Sequence, residues 1–434
     1  VNSSTPDVRA FPDITASNEQ REKSDFHQDY VLQHILGRGA FAQVHLAIHI
    51  PTTMEVAVKI TDLRSAKDGI ERTLDSRKLS AVEKECRLLY RVVGHKHCVQ
   101  IHADFMDMSL SYIVLERCDC TLLHALERHQ DIKEPVFVRI FLEMLQAIAH
   151  VHTLKIVHRD IKPDNFLCSG EANTVKLCDF GLAEAMPANG NDLKGIYGTA
   201  PFMSPEMLAS QGYGPETDVW SFGVIAYVLL LGNFPYQPVD STAKAMKAAI
   251  LSGHPTPTFK PKSSIDPSGK REITDTARSF LKKVLNRDSI SRPCAASLLK
   301  STWLTNVPAR PGHGYPSLRP MLHAAKRCGA FDVRKVSSFQ DKHGVEHMLN
   351  MKQARHHHKT DSQKLDAAFQ SNGRSRTTNS ANSAGASTAT RTPSGTRRSE
   401  RSSSEDVPDF KGAKTDSTVD ITCASTHASS TNSS

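Results

Sequence analysis

From Tyr30 onwards the chain alternates apolar and polar residues with a period of two. YVLQHIL, then GRGAF, then AQVHLAIH reads as two strands around a glycine turn. In the second strand Ala42, Val44, Leu46 and Ile48 share one face, and Gln43, His45 and His49 share the other. MEVAVKI at 54–60 gives a third strand, with Val56, Val58 and Ile60 on one side and Ala57 and Lys59 on the other. A lysine on the same face as a small alanine marks a surface kept open for a ligand. A charged stretch over 61–77 leads into a helix over about 78–93, whose apolar stripe is Val82, Cys86 and Leu89. Glu85 lies inside that stripe, whereas Glu83 lies outside it with Arg87 and Tyr90. SYIVLE at 111–116 reads as a buried strand. EPVFVRIFLEMLQAIAHVH reads as a long helix with Pro135 near its first turn. Phe137, Phe141, Met144 or Leu145, and Ile148 follow helical spacing there. VIAYVLLL at 224–231 is too short to span a bilayer and reads as a buried helix. Strands dominate before 116 and helices after about 121, which predicts an α+β fold in two lobes.

The two ends of the chain lack such patterning. Residues 1–29 are polar and are expected to be a flexible extension. After Leu304 short mixed segments over 305–360 predict a weakly ordered junction. Residues 361–434 are rich in Ser, Thr, Asn and Arg with few large apolar side chains, which predicts a disordered tail.

Composition and charge sharpen this division. At 39% apolar and 23% charged residues, the chain can bury a core. Residues 305–434 hold 19 of the 54 basic and 11 of the 46 acidic residues, so the whole formal charge of +8 lies in that stretch. The basic tail reads first as solvated chain, and second as a surface for weak contact with anionic lipid or nucleic acid. No dedicated nucleic-acid module accompanies it. The 9 cysteines are scattered, none forms C-x-x-C, and Cys118-x-Cys120 lacks partner ligands at zinc spacing. That usage fits a reducing compartment, the cytoplasm or also the nucleus. No apolar leader pattern stands near Val1, and an opening Val leaves the native start open.

The chemistry is carried by short motifs in a fixed order. GRGAFAQV at 37–44 follows G-x-G-x-x-G-x-V, except that Ala42 replaces the third glycine. Glycines there let backbone amides approach phosphates. VAVK ends at Lys59, 15 positions past Val44. HRDIKPDN follows at 158–165, DFG at 179–181, SPE at 204–206, DVWSFG at 218–223, and Arg292 within NRDSISRP. With all these parts in this order, residues 30–304 resemble a eukaryotic-type serine/threonine protein kinase. The resemblance covers 275 of 434 residues. It implies the two-lobed kinase fold, with an N-lobe over about 30–116 and a C-lobe over about 121–304. It also implies ATP as phosphoryl donor, Mg2+ as its ion, and protein substrates bearing Ser or Thr hydroxyls.

The site residues follow from the same resemblance, for a reaction that depends on positioned charge. Gly37, Arg38, Gly39, Ala40, Phe41 and Ala42 would form the loop over the phosphates. Val44, Ala57 and Leu167 would enclose the adenine. Leu115 stands at the gatekeeper position, with Glu116 and Cys118 in the hinge, and Cys178 faces the nucleotide. Lys59 would hold the α- and β-phosphates and pair with Glu85. Asp160 would accept or orient the proton of the substrate hydroxyl, and Lys162 would steady the γ-phosphate. Asn165 and Asp179 would hold Mg2+ through hard oxygen atoms. His158, Phe180, Leu89 and Ile101 would stack as a spine anchored by Asp218, and Glu206 would pair with Arg292. Because Lys59, Asp160, Asn165 and Asp179 are all present, a kinase-like scaffold without catalysis finds little support.

Within the kinases, NFL after HRDIKPD and the stretch DVWSFGVIAYVLLLGNFPY look most like the calcium/calmodulin-dependent and calcium-dependent group. The tail carries no EF-hand loop pattern. CDCTLLHAL departs from the GGE-type hinge pattern: Leu122 stands nearest the glutamate that basophilic relatives use to read a substrate arginine. Asp164 remains to attract one basic residue. From Leu182 through Ile196 there is no Ser, Thr or Tyr. The resemblance puts a phosphorylated residue near Gly195, where it would meet Arg159. Asp192 is the expected substitute anion, and Thr199 is expected to bond near Asp160. The chain is therefore expected to be active without phosphorylation of 182–196, and control is expected in the tail or in a regulatory partner. The tail offers Ser399 as an acceptor, and VEHMLNMKQA within the 305–360 junction is the candidate for a segment that docks on the kinase like an autoinhibitory helix.

Overall fold

The computed structural model describes residues 25–39, 42–65, 73–107, 109–240, 242–306 and 314–331. The N-terminal part is built on a five-stranded antiparallel sheet. A short helix α1 (Phe26–Asp29) precedes β1 (Tyr30–Arg38), β2 (Ala42–His49) and β3 (Glu55–Asp62). Helix α2 (Ser76–Arg91) follows, then β4 (Ile101–Asp107) and β5 (Leu110–Glu116). The spatial order is β1-β2-β3-β5-β4. Val56, Val58 and Ile60 are fully buried against Tyr112 and Val114, so β3 turns the face expected from its alternation into the core. Asp75 caps α2 by accepting from Arg77 N at 2.9 Å. Glu85 is 6% exposed and shares the buried stripe with Val82, Cys86 and Leu89, while Glu83 faces solvent.

One expectation for this lobe changes. The 1–29 extension does not end in unpatterned chain: Phe26 is buried and stacks on Tyr112 at 4.3 Å and on Tyr30 at 5.2 Å. A single aromatic ring that closes one side of the small core orders α1. Residues 1–24 lie outside the described residues. Both faces of β2 are largely covered. Gln43, His45 and Leu46 are buried, while Ala42, Val44, Ile48 and His49 are half-buried. The His45 ring nitrogens lie 3.2 Å from Gln33 O and 3.3 Å from Gln43 Oε1, so a neutral ring donates to one of the two oxygens. Val44 pairs across the sheet with Lys59, and Leu46 with Ala57, so the apolar face of β2 is the one that shares the open side of β3.

The C-terminal part is mainly helical. In order it contains β6 (Cys120–Thr121), α3 (Leu122–Arg128), α4 (Glu134–Thr153), β7 (Ile156–Val157), β8 (Phe166–Ser169), β9 (Thr174–Leu177) and β10 (Glu184–Ala185). Then come α5 (Pro205–Leu208), α6 (Glu216–Leu231), α7 (Ala243–Ser252), α8 (Asp275–Val284), α9 (Ala295–Leu298), α10 (Thr302–Thr305) and α11 (Arg319–Arg327). Helix α6 is buried around its whole circumference from Thr217 to Leu231, which makes it the central post of the lobe. Helix α4, with Pro135 in its first turn, buries Phe137, Phe141, Met144, Leu145 and Ile148. Its first residue, Glu134, is buried and accepts from Thr274 N at 3.0 Å, Thr274 Oγ1 at 2.5 Å and Trp303 Nε1 at 2.8 Å. One carboxylate thereby fixes the start of α8 and the indole of α10.

The junction expected over 305–360 is ordered in part. Helix α11 lies beyond the last kinase motif and buries Met321, Leu322, Ala324 and Ala325. It packs on α6, where a Cβ on Gly232 would come within 2.9 Å of Ala324 Cβ. Arg319 donates to Gln130 O and Glu127 O at the end of α3, and Lys326 pairs with Glu127 at 2.5 Å. Four apolar side chains at helical spacing meet a complementary groove, which is why the segment is ordered despite its polar flanks. VEHMLNMKQA and Ser399 lie outside the described residues. Replacing Leu322 by Ala is expected to destabilise the chain by about 2–4 kcal/mol, as for a core leucine. Thermal or denaturant unfolding of the full chain checks this, and an unchanged midpoint would mean that α11 adds nothing to the lobe.

Candidate active site

The site forms where the open face of β3 meets three loops of the helical lobe. Lys59 lies in β3 on the side opposite Val58 and Ile60. Its Nζ donates to Glu85 Oε1 at 2.6 Å and to Asp179 Oδ1 at 2.8 Å. Burial alone would lower the Lys59 ammonium, but the Asp179 and Glu85 carboxylates more than offset it and hold it well above the usual lysine range. In return the Lys59 charge, against the pull of burial, holds Asp179 well below the usual carboxylate range. Asp179 has a φ of +62° and a 48% exposed side chain, so it is presented to the cleft. Phe180 turns the other way, fully buried, with its ring 5.0 Å from His158. Leu89 and Ile101 are buried in the same core as Phe180.

The second cluster is on the loop after β7. Asp160 is buried and accepts four hydrogen bonds from three side chains. Asn165 Nδ2 reaches Asp160 O at 2.7 Å and Oδ2 at 3.2 Å. Lys162 Nζ reaches Oδ2 at 2.5 Å, and Thr199 Oγ1 reaches Oδ1 at 2.9 Å. Thr199 comes this close because Gly198 precedes it. Gly198 has a φ of +95°, and a Cβ there would sit 2.3 Å from Arg159 O. The loop is tied down by Asp218, whose oxygens accept from His158 N at 2.8 Å, Arg159 N at 2.9 Å and His152 Nε2 at 2.9 Å.

The remaining expected residues surround these clusters. Gly37 pairs with Val44, Arg38 pairs with Gln43, and Gly39 N donates to Ala42 O at 2.8 Å to close the turn. Ala40 and Phe41 lie outside the described residues. Val44, Ala57, Leu115 and Leu167 are each half-buried, with Ala57 paired to Leu115. Glu116 Oε1 accepts from Gln100 N at 2.9 Å and from Lys176 Nζ at 2.9 Å. Cys118 and Cys178 are half-buried thiols; burial pushes Cys118 up to about 12 and Cys178 well above the usual thiol range, so neither is a ready thiolate. Glu206 and Arg292 form a two-point pair at 2.7 and 3.1 Å, with side chains 5% and 0% exposed.

One expected partnership differs. Asp192 does not meet Arg159. The backbone of Leu193 pairs with Tyr213 in both directions, which turns Asp192 against Gly212, where a Cβ would lie 2.5 Å from its Oδ2. The anion beside Arg159 is Glu184, with Arg159 Nη2 to Glu184 Oε2 at 3.2 Å. The ring of Tyr197 covers the guanidinium at 4.1 Å. The motif order did not single out Glu184. Its only signal in the chain was an acidic residue three past DFG, in a stretch devoid of hydroxyls.

The donor set suits one metal better than others. Asp179 offers a carboxylate and Asn165 an amide oxygen, both hard ligands. Among the described residues no group of three His, Cys, Asp or Glu side chains converges on a metal position. Few protein ligands and an open cleft fit Mg2+, which keeps waters and binds through substrate phosphates.

Comparison with known proteins places this geometry. The protein kinase domain family matches residues 30–304. The chain belongs to the eukaryotic-type protein kinases. The kinase is 30% identical over 315 residues to the hormonally up-regulated neu tumor-associated kinase homolog of Xenopus tropicalis, covering 69% of this chain and 42% of that one. It is 34% identical over 278 residues to sucrose non-fermenting protein kinase 1 of Fusarium virguliforme, covering 64% and 36%. It is 32% identical over 286 residues to CDPK-related kinase 1 of Arabidopsis thaliana, covering 64% and 46%. The matched part thus spans less than half the length of these relatives. The buried pair of the kinase gives a direct test. Arg292→Ala would leave the Glu206 carboxylate uncompensated and is expected to cost about 3–5 kcal/mol. Chemical denaturation measures it, and a loss below about 1 kcal/mol, the range of a surface pair, would show that the pair is not structural.

Proposed function

We propose that the chain is an ATP-dependent serine/threonine protein kinase, with magnesium as the companion ion and protein hydroxyls as acceptors. The observation that carries this reading is the adjacency of two clusters, Lys59–Glu85–Asp179 and Asp160–Lys162–Thr199: Cys178, next to Asp179, donates its N to Asn165 O at 2.9 Å, and Asn165 in turn bonds Asp160. Lys59 binds the α- and β-phosphates and keeps its orientation through Glu85. Val44, Ala57 and Leu167 hold the adenine, with backbone contacts from Glu116 and Cys118. Asp160 receives the proton of the incoming hydroxyl, and its geometry is set by Asn165 and Thr199 before substrate arrives. Lys162 steadies the γ-phosphate as charge spreads over its oxygens. Magnesium, held by Asp179 and Asn165, supplies charge neutralisation at the phosphates when bound. Lys162, two residues past Asp160, favours Ser and Thr over Tyr as acceptor. The scattered free cysteines favour a reducing compartment, the cytoplasm or nucleus.

Substrate reading is expected to be shallow. Leu122, nearest to the place of the arginine-reading glutamate, is fully buried at the start of α3. Asp164 is the remaining acidic group, so we propose a mild preference for one basic residue. On a peptide library this predicts a few-fold enrichment of Arg or Lys at a single position, about what one exposed charge contact supplies. A demand for acidic or proline-flanked peptides would contradict it. The catalytic assignment rests on Asp160→Asn, expected to lower phosphotransfer from labelled Mg-ATP to a mixed peptide set by about 100- to 10,000-fold. Equal transfer by the two proteins would remove Asp160 from the mechanism.

A further inference from the structure

Arg159 is a buried cation on a strained backbone. Its φ is +65°, and its side chain is 5% exposed. A buried charge needs an opposite charge and filled hydrogen bonds. Nε donates to Leu182 O at 2.7 Å, and Nη2 donates to Glu184 Oε2 at 3.2 Å. Tyr197 covers the planar face. The same Glu184 oxygen also accepts from Lys84 Nζ at 2.9 Å. Lys84 is the neighbour of Glu85 on α2, and Arg159 is the neighbour of Asp160. One carboxylate oxygen therefore joins the helix that orients Lys59, the loop that carries the proposed base, and the segment that follows DFG.

Glu184 is well placed to hold them. It lies in β10, which pairs antiparallel with β7 through Glu184 opposite Val157 and Ala185 opposite Ile156. Met186 N adds a bond to Lys155 O at 2.8 Å. The carboxylate is thus set by backbone hydrogen bonds two residues ahead of Arg159. No hydroxyl between Leu182 and Ile196 could carry a phosphate. At Gly195 the φ is +93°, and the Tyr197 ring occupies the place of a Cβ at 2.6 Å.

We propose that Glu184 is a built-in anion that does for this chain what an added phosphate would do: it clamps Arg159 and Lys84 together and holds the site assembled without phosphorylation of residues 182–196. Glu184 is a positioning residue that acts through Arg159 and α2. The proposal rests on the reading of the chain as a phosphotransferase.

The test uses the full chain, made with a phosphatase and shown by mass spectrometry to carry no phosphate. Wild type, Glu184→Gln, Lys84→Met and the double variant are compared for kcat, KM for ATP, and hydrogen exchange along α2. Wild type is expected to be active. Glu184→Gln is expected to lose about tenfold or more in kcat, as for one charge-assisted bond, with KM for ATP within about twofold. Its α2 amides are expected to exchange faster. Adding Lys84→Met to Glu184→Gln is expected to cost no more, because the negative charge that the two cations share is already gone. Wild-type kcat and exchange in Glu184→Gln, or additive losses in the double variant, would overturn the proposal. So would a phosphate-free wild type that is inert and gains activity on phosphorylation within 182–199. If no state of the protein transfers phosphate, the kinase reading fails, and the exchange measurement still decides the clamp. If Glu184→Gln does not fold, salt decides: from 50 to 500 mM NaCl the α2 exchange of wild type is expected to rise more steeply than that of Lys84→Met, and equal slopes would overturn the clamp.

Discussion

A single buried carboxylate at the start of α6 holds the site to the core. Asp218 is 1% exposed and accepts from two consecutive backbone amides, His158 and Arg159, and from the His152 ring. Burial would raise its pKa, but these donors hold it below the usual carboxylate range. Its place in the first turn of α6 adds the favourable end of a helix dipole. Since α6 is enclosed on every side, the loop tied to it inherits the rigidity of the lobe. Arg159 can then keep a left-handed backbone, which costs on the order of 1–3 kcal/mol wherever it occurs.

From that anchor outward, the site is a set of cations matched to carboxylates at decreasing burial. Arg292 with Glu206 is sealed, Arg159 with Glu184 is sealed on one side, and Lys59 with Asp179 opens to the cleft. The gradient has a physical sense. A sealed pair cannot exchange partners without a large penalty, so it suits architecture. A pair at the mouth of a cleft can be re-formed around an incoming phosphate and metal, so it suits chemistry. Lys59 is held between two acids, and Glu85 keeps it in place when Asp179 turns to another partner.

Much of this was legible along the chain. The alternation in β3 placed Lys59 and Ala57 on the open side because period two leaves no other choice. The stripe of α2 separated Glu85 from Glu83 by geometry alone, since a shift of two residues turns a side chain about 200° around the axis. Other features were not legible. Phe26 and α11 carry too few apolar residues to stand out locally; each is ordered only because a gap elsewhere in the fold has its shape. Gln43 and His45 are buried on β2 where they meet each other and the Gln33 carbonyl, and pairing across strands leaves no periodic trace.

The partner of Arg159 shows where the division falls. Sequence by itself determined the family, the order of the main strands and helices around the motifs and the identity of the charged groups, because each is written in local spacing or in a motif read as a whole. It also determined that no hydroxyl lies between Leu182 and Ile196. Which acid meets Arg159 was decided by tertiary structure alone. Asp192 and Glu184 are equivalent as charges, but Leu193 pairs with Tyr213 and carries Asp192 away, while β10 pairs with β7 and brings Glu184 in. Ion pairing across long sequence separations depends on where the backbone hydrogen bonds are made, and those are settled only when the chain has closed on itself.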